Sequence, residues 1–213
     1  MKILAISDLH GNFSKITPML EKAGDVDAIL VVGDITNFGP EGKAKELFNL
    51  LAGKTVLAIP GNCDPKEVLN AIKSSGVVSL HNSSFKLDDV TFIGLGGSNP
   101  TPFNTPFEYS EDEIQEMLRE LLLRTPRTSR MVLVSHAPPR NTLDETPHGN
   151  VGSEAIREVL NQIDLVVCGH IHEARGVKKV GNTTIVNPGK ASDGYAAVIT
   201  FNGAVNVDFI DVE

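Results

Sequence analysis

DLVVCGHIH, the nine residues from Asp164 to His172, is the stretch from which the rest of the chain can be read. Leu165, Val166 and Val167 make a short apolar run of the kind a buried strand forms, and the chain then turns at Gly169 to present two imidazoles, His170 and His172. In open α/β sheets ligands bind outside the carboxyl ends of the strands, so histidines that follow a buried run stand where a ligand would sit. Two histidines in a turn are, alone, an ordinary solvated loop. The way the other apolar runs end decides between these readings.

Four more runs end in the same fashion. The run 3–6 stops at a turn carrying Asp8 and His10, and the run 28–32 stops at Gly33 and Asp34. The run 56–59 stops at Pro60, Gly61, Asn62, Cys63 and Asp64, and the run 131–134 at Ser135 and His136. Each residue has a plain explanation by itself: Asp8 as a helix cap, His10 as a turn residue. Seven such residues at one end of a sheet are explained only by convergence.

Helical periodicity fills the gaps between these strands. Phe13, Ile16, Met19 and Leu20 recur at helical spacing up to Gly24, and Pro40 opens a helix with Ala44, Leu47, Phe48 and Leu51 on one face. Asp64 and Glu67 read as an acidic capping box with Pro65 at the first helical position, which starts the next helix there. Ser110 and Glu113 read as another box, before the apolar stripe of Ile114, Met117, Leu118, Leu121 and Leu122. Ser153 caps a last helix bearing Ile156, Val159, Leu160 and Ile163.

Residues 77–78, 85–87 and 90–93 read as antiparallel strands, and four short strands with Gly or Asn turns follow residue 176. Residues 94–107, rich in Gly and Pro, admit neither helix nor strand and are expected to cover a site; residues 137–152, with His148, form a second long loop on the same cleft. The whole of residues 1–213 is expected to form a single α/β domain of two layered sheets flanked by helices.

Composition narrows the function. A net charge of −8 argues against a surface that grips duplex nucleic acid through many phosphates, which needs clustered Lys and Arg. It leaves room for a small phosphate-bearing substrate, because a bound metal supplies positive charge locally. Two cysteines, Cys63 and Cys168, make no disulfide framework, and no apolar stretch suits a signal peptide or a membrane span. The expectation is a cytoplasmic protein with no membrane partner; the sequence leaves self-association into a homo-oligomer open.

The chemistry of the seven strand-end residues is that of a metal centre. Neutral imidazoles suit Mn, Fe, Zn or Ni, carboxylates add charge, and an amide oxygen is a neutral ligand. Seven ligands exceed one tetrahedral zinc and suit two metals sharing a bridging carboxylate.

The segments DLHGN at 8–12, GD at 33–34, GNCD at 61–64, SHAPP at 135–139 and GHIH at 169–172 resemble, in order, the motifs of the calcineurin-like metallophosphoesterases. The resemblance implies a four-layer α/β/β/α sandwich of two mixed β-sheets flanked by helices, with two divalent metal ions, manganese foremost and Fe, Zn or Ni as alternatives. It implies that Asp8, His10 and His172 hold one metal, that Asn62, His136 and His170 hold the other, and that Asp34 bridges them. Asn62 and His136 are also expected to serve catalysis, and Asn12, Cys63 and His148 to contact substrate.

The activity so implied is hydrolysis of phosphodiester bonds by a hydroxide held between the metals, attacking in line. The alternatives are a broad phosphomonoesterase, or a catalytically weak protein-binding scaffold of the same fold. Many relatives carry His between the Asn and the acid of the third motif. Cys63 stands there in this chain, which resembles the small prokaryotic phosphodiesterase branch. A thiol is a poor substitute for a histidine acid, so diesters, or esters with good leaving groups, are favoured over phosphoprotein substrates.

Overall fold

The apolar runs become strands buried on both faces, which is why they read as unbroken hydrophobic stretches. The computed structural model describes residues 1–213. In chain order it contains β1 (Lys2–Ile6), α1 (Ile16–Ala23), β2 (Ala28–Val32), α2 (Glu41–Leu50), β3 (Val56–Ile59), α3 (Val68–Ser74) and β4 (Val78–Ser79). There follow β5 (Ser83–Leu87), β6 (Val90–Leu95), α4 (Glu111–Arg124), β7 (Arg130–Ser135), β8 (Glu145–Thr146), β9 (Gly149–Asn150) and α5 (Glu154–Glu158). The chain closes with β10 (Leu165–Val167), β11 (Gly176–Val180), β12 (Thr183–Asn187), β13 (Tyr195–Asn202) and β14 (Ala204–Asp211). No helix is long and apolar enough to cross a membrane.

Two six-stranded sheets result, ordered β14-β13-β1-β2-β3-β4 and β11-β12-β10-β7-β6-β5, with β8 and β9 as a separate small hairpin. Both sheets are mixed: β1 to β4 run parallel, as do β6, β7, β10 and β12, while β13, β14, β11 and β5 pair antiparallel. Alternate residues of each strand point to opposite faces. Ile3, Ala5, Leu30, Val32, Leu57 and Ile59 therefore meet Phe92, Val132, Val134, Leu165 and Val167 between the sheets. Leu4, Ile6, Ile29 and Val31 pack under the helical residues Met19, Leu47 and Ile72. Ile93, Leu133 and Val166 pack under Ile114, Leu118 and Ile156. The result is the expected four-layer α/β/β/α sandwich.

Register brings the ligand-bearing ends level: Ile6 lies opposite Val31, Val32 opposite Ile59, and Val134 opposite Val167. All five candidate turns thus open at one rim of the sandwich.

Three local expectations are corrected. Residues 77–78 do not join an antiparallel group: β4 pairs parallel with β3, and of β4, β5 and β6 only the last two pair as a hairpin. A strand does enter the glycine-rich stretch, since β6 runs to Leu95. The third helix begins at Val68, with no side-chain cap, rather than at Pro65. Asp64 is unavailable to cap it, because its carboxylate accepts from the backbone N–H groups of Gly61, Ile35 and Thr36 and from the Thr36 hydroxyl. The boxes at Ser110 and Ser153 behave otherwise: Ser110 and Glu113 cap reciprocally, and the Ser153 hydroxyl accepts from Ile156 N–H.

Candidate metal centre

The rim is built by turns so tight that side chains would block them. Gly169 follows β10, and a Cβ there would lie 1.9 Å from Ser7 Oγ and 2.8 Å from Asp8 Oδ2. Glycine alone lets the ends of β10 and β1, from opposite sheets, close on each other. Four of the candidate residues themselves hold left-handed backbone: Asp8 at φ 56°, His10 at 47°, Asp34 at 47° and His170 at 70°. That conformation costs a non-glycine residue roughly 1–2 kcal/mol, and its concentration in one rim marks a functional site.

These turns bring distant residues together. His10 Nε2 lies 3.2 Å from His172 Nε2, and His172 Nε2 lies 3.5 Å from Asp8 Oδ1. His136 Nε2 lies 3.0 Å from Asn62 Oδ1 and 3.4 Å from Asp34 Oδ1. The other Asp34 oxygen, Oδ2, is 3.8 Å from His10 Nε2. The His170 ring stands edge-on to His136 with centroids 5.2 Å apart.

Three groups have ligand atoms all within 4.8 Å of one another: Asp8 with His10 and His172, His10 with Asp34 and Cys63, and Asp8 with Asp34 and His136. His170 belongs to none of these groups and joins the centre through its contact with His136. Ligands on one cation at bonds of about 2.1 Å lie about 3.0–3.5 Å apart at octahedral and tetrahedral angles. The spacings found here match that range or slightly exceed it, so the donor set fits metal ions.

Backbone groups fix the orientation of these side chains. His136 Nδ1 donates to the Val32 carbonyl at 2.8 Å, leaving Nε2 facing inward. Asp34 Oδ1 accepts from Cys63 N–H at 2.8 Å, and the Asp8 carboxylate accepts from His170 N–H. Asn62 Nδ2 donates to Thr105 Oγ1 at 3.0 Å, so the loop after β6 does reach the site. Thr105 in turn donates to Glu108.

The charges are strongly coupled. Burial opposes protonation of His136, but the Asp34 and Asp8 carboxylates outweigh it and push the imidazole up to about 9. Burial likewise opposes ionisation of Asp34, and His136 more than offsets this, so the carboxyl titrates below its ordinary value. The hydrogen bond to Asp8 raises His172. Burial holds His10 below its usual value and, with His136 beside it, pushes His170 down to about 4. Burial and then Asp34 push the Cys63 thiol up.

Two of the residues singled out from sequence make no hydrogen bond to these side chains. Asn12 is exposed, and its side chain accepts from Ser14 in the turn before α1. His148 lies at the exposed tip of the β8–β9 hairpin, where its N–H donates to Thr146. That loop is organised by buried Asp144, whose carboxylate accepts from Asn141, Thr142 and Gly152 N–H and from the Asn150 amide.

Sequence reasoning missed Asp64 and Thr105. Asp64 was masked by a plausible cap; the signal against that role was its place inside a strand-end turn. Thr105 carried no signal beyond its place in the covering loop.

Known proteins share this chain's sequence pattern and its fold. A curated, uncharacterized protein of Methanocaldococcus jannaschii is 42% identical over 207 residues, 90% of this chain and 89% of its own length. A structure described as a novel archaeal phosphodiesterase superimposes with a TM-score of 0.59 at 18% identity, covering 100% of both chains. A dimetal phosphatase from Danio rerio gives 0.68 at 12% identity, covering 99% of this chain and 96% of its own. The sequence model described as calcineurin-like phosphoesterase matches residues 1–174, and the chain belongs to that family.

Proposed function

We propose that this phosphoesterase hydrolyses phosphodiesters at a centre of two divalent cations, manganese being the first metal to test. Asp8, His10 and His172 hold one cation, Asn62, His136 and His170 hold the other, and Asp34 serves both. The observation that carries the reading is the placement of Asp34, whose Oδ2 faces His10 and whose Oδ1 faces His136. When bound, two divalent cations supply Lewis acidity that offsets charge developing on the phosphoryl oxygens and lowers the pKa of water.

The protein's own groups prepare that site. The two aspartates bring two negative charges against four positive ones, leaving a pocket that favours an anionic ester. Asn62, anchored by Thr105, and His136, anchored by Val32, present fixed atoms instead of mobile ones.

Burial and then Asp34 push the Cys63 thiol up, which makes it a poor nucleophile and a poor proton donor. With no histidine acid at that position, the site favours esters whose leaving group departs readily. The two free cysteines suit a reducing, cytoplasmic setting.

The archaeal phosphodiesterase and the dimetal phosphatase frame the choice between diester and monoester. A panel of aryl diesters, aryl monoesters and cyclic nucleotides, run with Mn, Ni, Zn and Fe, decides it. The reading expects metal-dependent turnover of bis(p-nitrophenyl) phosphate above that of p-nitrophenyl phosphate. Absence of diester turnover under every metal contradicts it.

A further inference from the structure

Two phenyl rings stand out on loops bonded to the Asn62–Cys63 turn. Phe38 is 59% exposed and Phe103 is 79% exposed. Phe38 N–H donates to the Cys63 carbonyl at 3.0 Å, fixing the loop after β2 against that turn. On the other side Thr105 holds the Asn62 amide, and Phe107 N–H donates to the Asn62 carbonyl. Phe103 lies two residues before Thr105, on the arm whose N–H is pinned by Thr101 Oγ1.

The backbone at Phe38 deepens the anomaly. Its φ is 59°, a left-handed conformation that a bulky side chain adopts only at a cost. Burial of the ring would offset that cost, yet the ring is mostly in water. A single exposed ring is ordinary; these two stand on loops that both bond the Asn62–Cys63 turn, which sets two aromatic groups on segments tied to the site. The residues around them are polar: Asn37 and Asn104 are exposed and carry amides able to donate and accept. Two separate rings among amides provide faces and hydrogen-bonding edges, which suits a flat heteroaromatic group. They do not provide the continuous apolar trough an acyl chain needs.

We infer that Phe38 and Phe103 are specificity-determining lips of the cleft, stacking on a nucleobase or similar heteroaromatic group of the phosphate ester. This inference rests on the phosphoesterase reading above and names the substrate class of the same site. Stacking of a base on an aromatic side chain is sequence-tolerant, because every base presents a π-face, and its loss weakens binding by about tenfold per ring.

The test uses the manganese-loaded, full-length protein and its Phe38→Ala and Phe103→Ala variants. Calorimetry compares thymidine 5′-monophosphate, methyl phosphate and decyl phosphate. Kinetics compares p-nitrophenyl thymidine 5′-phosphate with methyl p-nitrophenyl phosphate, which share a leaving group.

The expected result is a wild-type preference for thymidine monophosphate over methyl phosphate of about tenfold or more. Each variant loses most of that preference, with methyl phosphate affinity and manganese content unchanged. KM for the thymidine ester rises accordingly, and kcat holds. A wild type without the preference, variants that retain it, or decyl phosphate bound as tightly as the nucleotide overturns the inference. Failure of the phosphoesterase reading shows itself separately, as no nitrophenolate release from any ester, while calorimetry still reads the stacking preference.

Discussion

His136 Nδ1 donates to the carbonyl of Val32 at 2.8 Å, a hydrogen bond that crosses from the end of one sheet to the end of the other. It fixes the ring so that Nε2 meets Asn62 and Asp34, and it satisfies a carbonyl sealed from water. Replacing His136 with Ala leaves that carbonyl only its hydrogen bond from the Ser7 hydroxyl, removes the tie between the sheets, and leaves two buried carboxylates unbalanced. The metal-free protein is expected to lose about 3 kcal/mol of stability, read by urea denaturation at pH 7.5. Unchanged stability would mean that this bond does not tie the sheets.

Asp64 joins the turns after β2 and β3 through four accepted hydrogen bonds. Asp64→Asn turns an N–H₂ toward some of those donors. It should cost about 3 kcal/mol and weaken metal binding by roughly 10–100-fold without removing a ligand. Calorimetric metal titration checks this, and unaltered affinity would show that the turns hold their shape unaided.

Cys63 follows Asn62 in the turn after β3, and its thiol is pushed up by burial and the neighbouring Asp34. In the metal-free protein it should resist iodoacetamide at pH 8, and Cys63→Ala should keep kcat within about threefold of wild type. Rapid alkylation, or a collapse of kcat, would assign the thiol a direct chemical role.

His81 supplies a pH dependence remote from the ligands. Burial, with Lys73 and Lys66 nearby, pushes its imidazole down to about 4, and its Nδ1 accepts from Gly96 N–H. The unfolded chain protonates His81 near pH 6.5, whereas the folded one refuses the proton until about 4. Between those values the unfolded state binds more protons. The stability His81 contributes is therefore complete above about pH 6.5 and is lost as pH falls toward 4. His81→Gln, which keeps an acceptor for Gly96, should flatten the fall in denaturation free energy from pH 7.5 to 5. Parallel curves for wild type and variant would refute the assignment.

Most of the architecture was legible because strands buried on both faces leave unbroken apolar runs: 28–32 and 56–59 match β2 and β3 residue for residue. The seven converging residues were legible because each directly follows such a run. Asp64 was not, since an acid before Pro and ahead of Glu satisfies a cap pattern as well as it satisfies three backbone donors and a hydroxyl from two turns. Neither was the parallel pairing of β4, whose two residues carry no directional signal. His148 shows another limit: the sequence places it on a long loop but not where on that loop, and it stands at the exposed tip of the β8–β9 hairpin.

The central claim is a pair of cations joined by Asp34. Manganese titration of metal-free protein, followed by calorimetry and electron paramagnetic resonance, tests it directly. The account predicts two ions per chain, spin-coupled in the wild type, with Asp34→Asn losing the coupling and at least one ion. A single ion, two uncoupled ions, or stoichiometry and coupling unchanged in Asp34→Asn would contradict it.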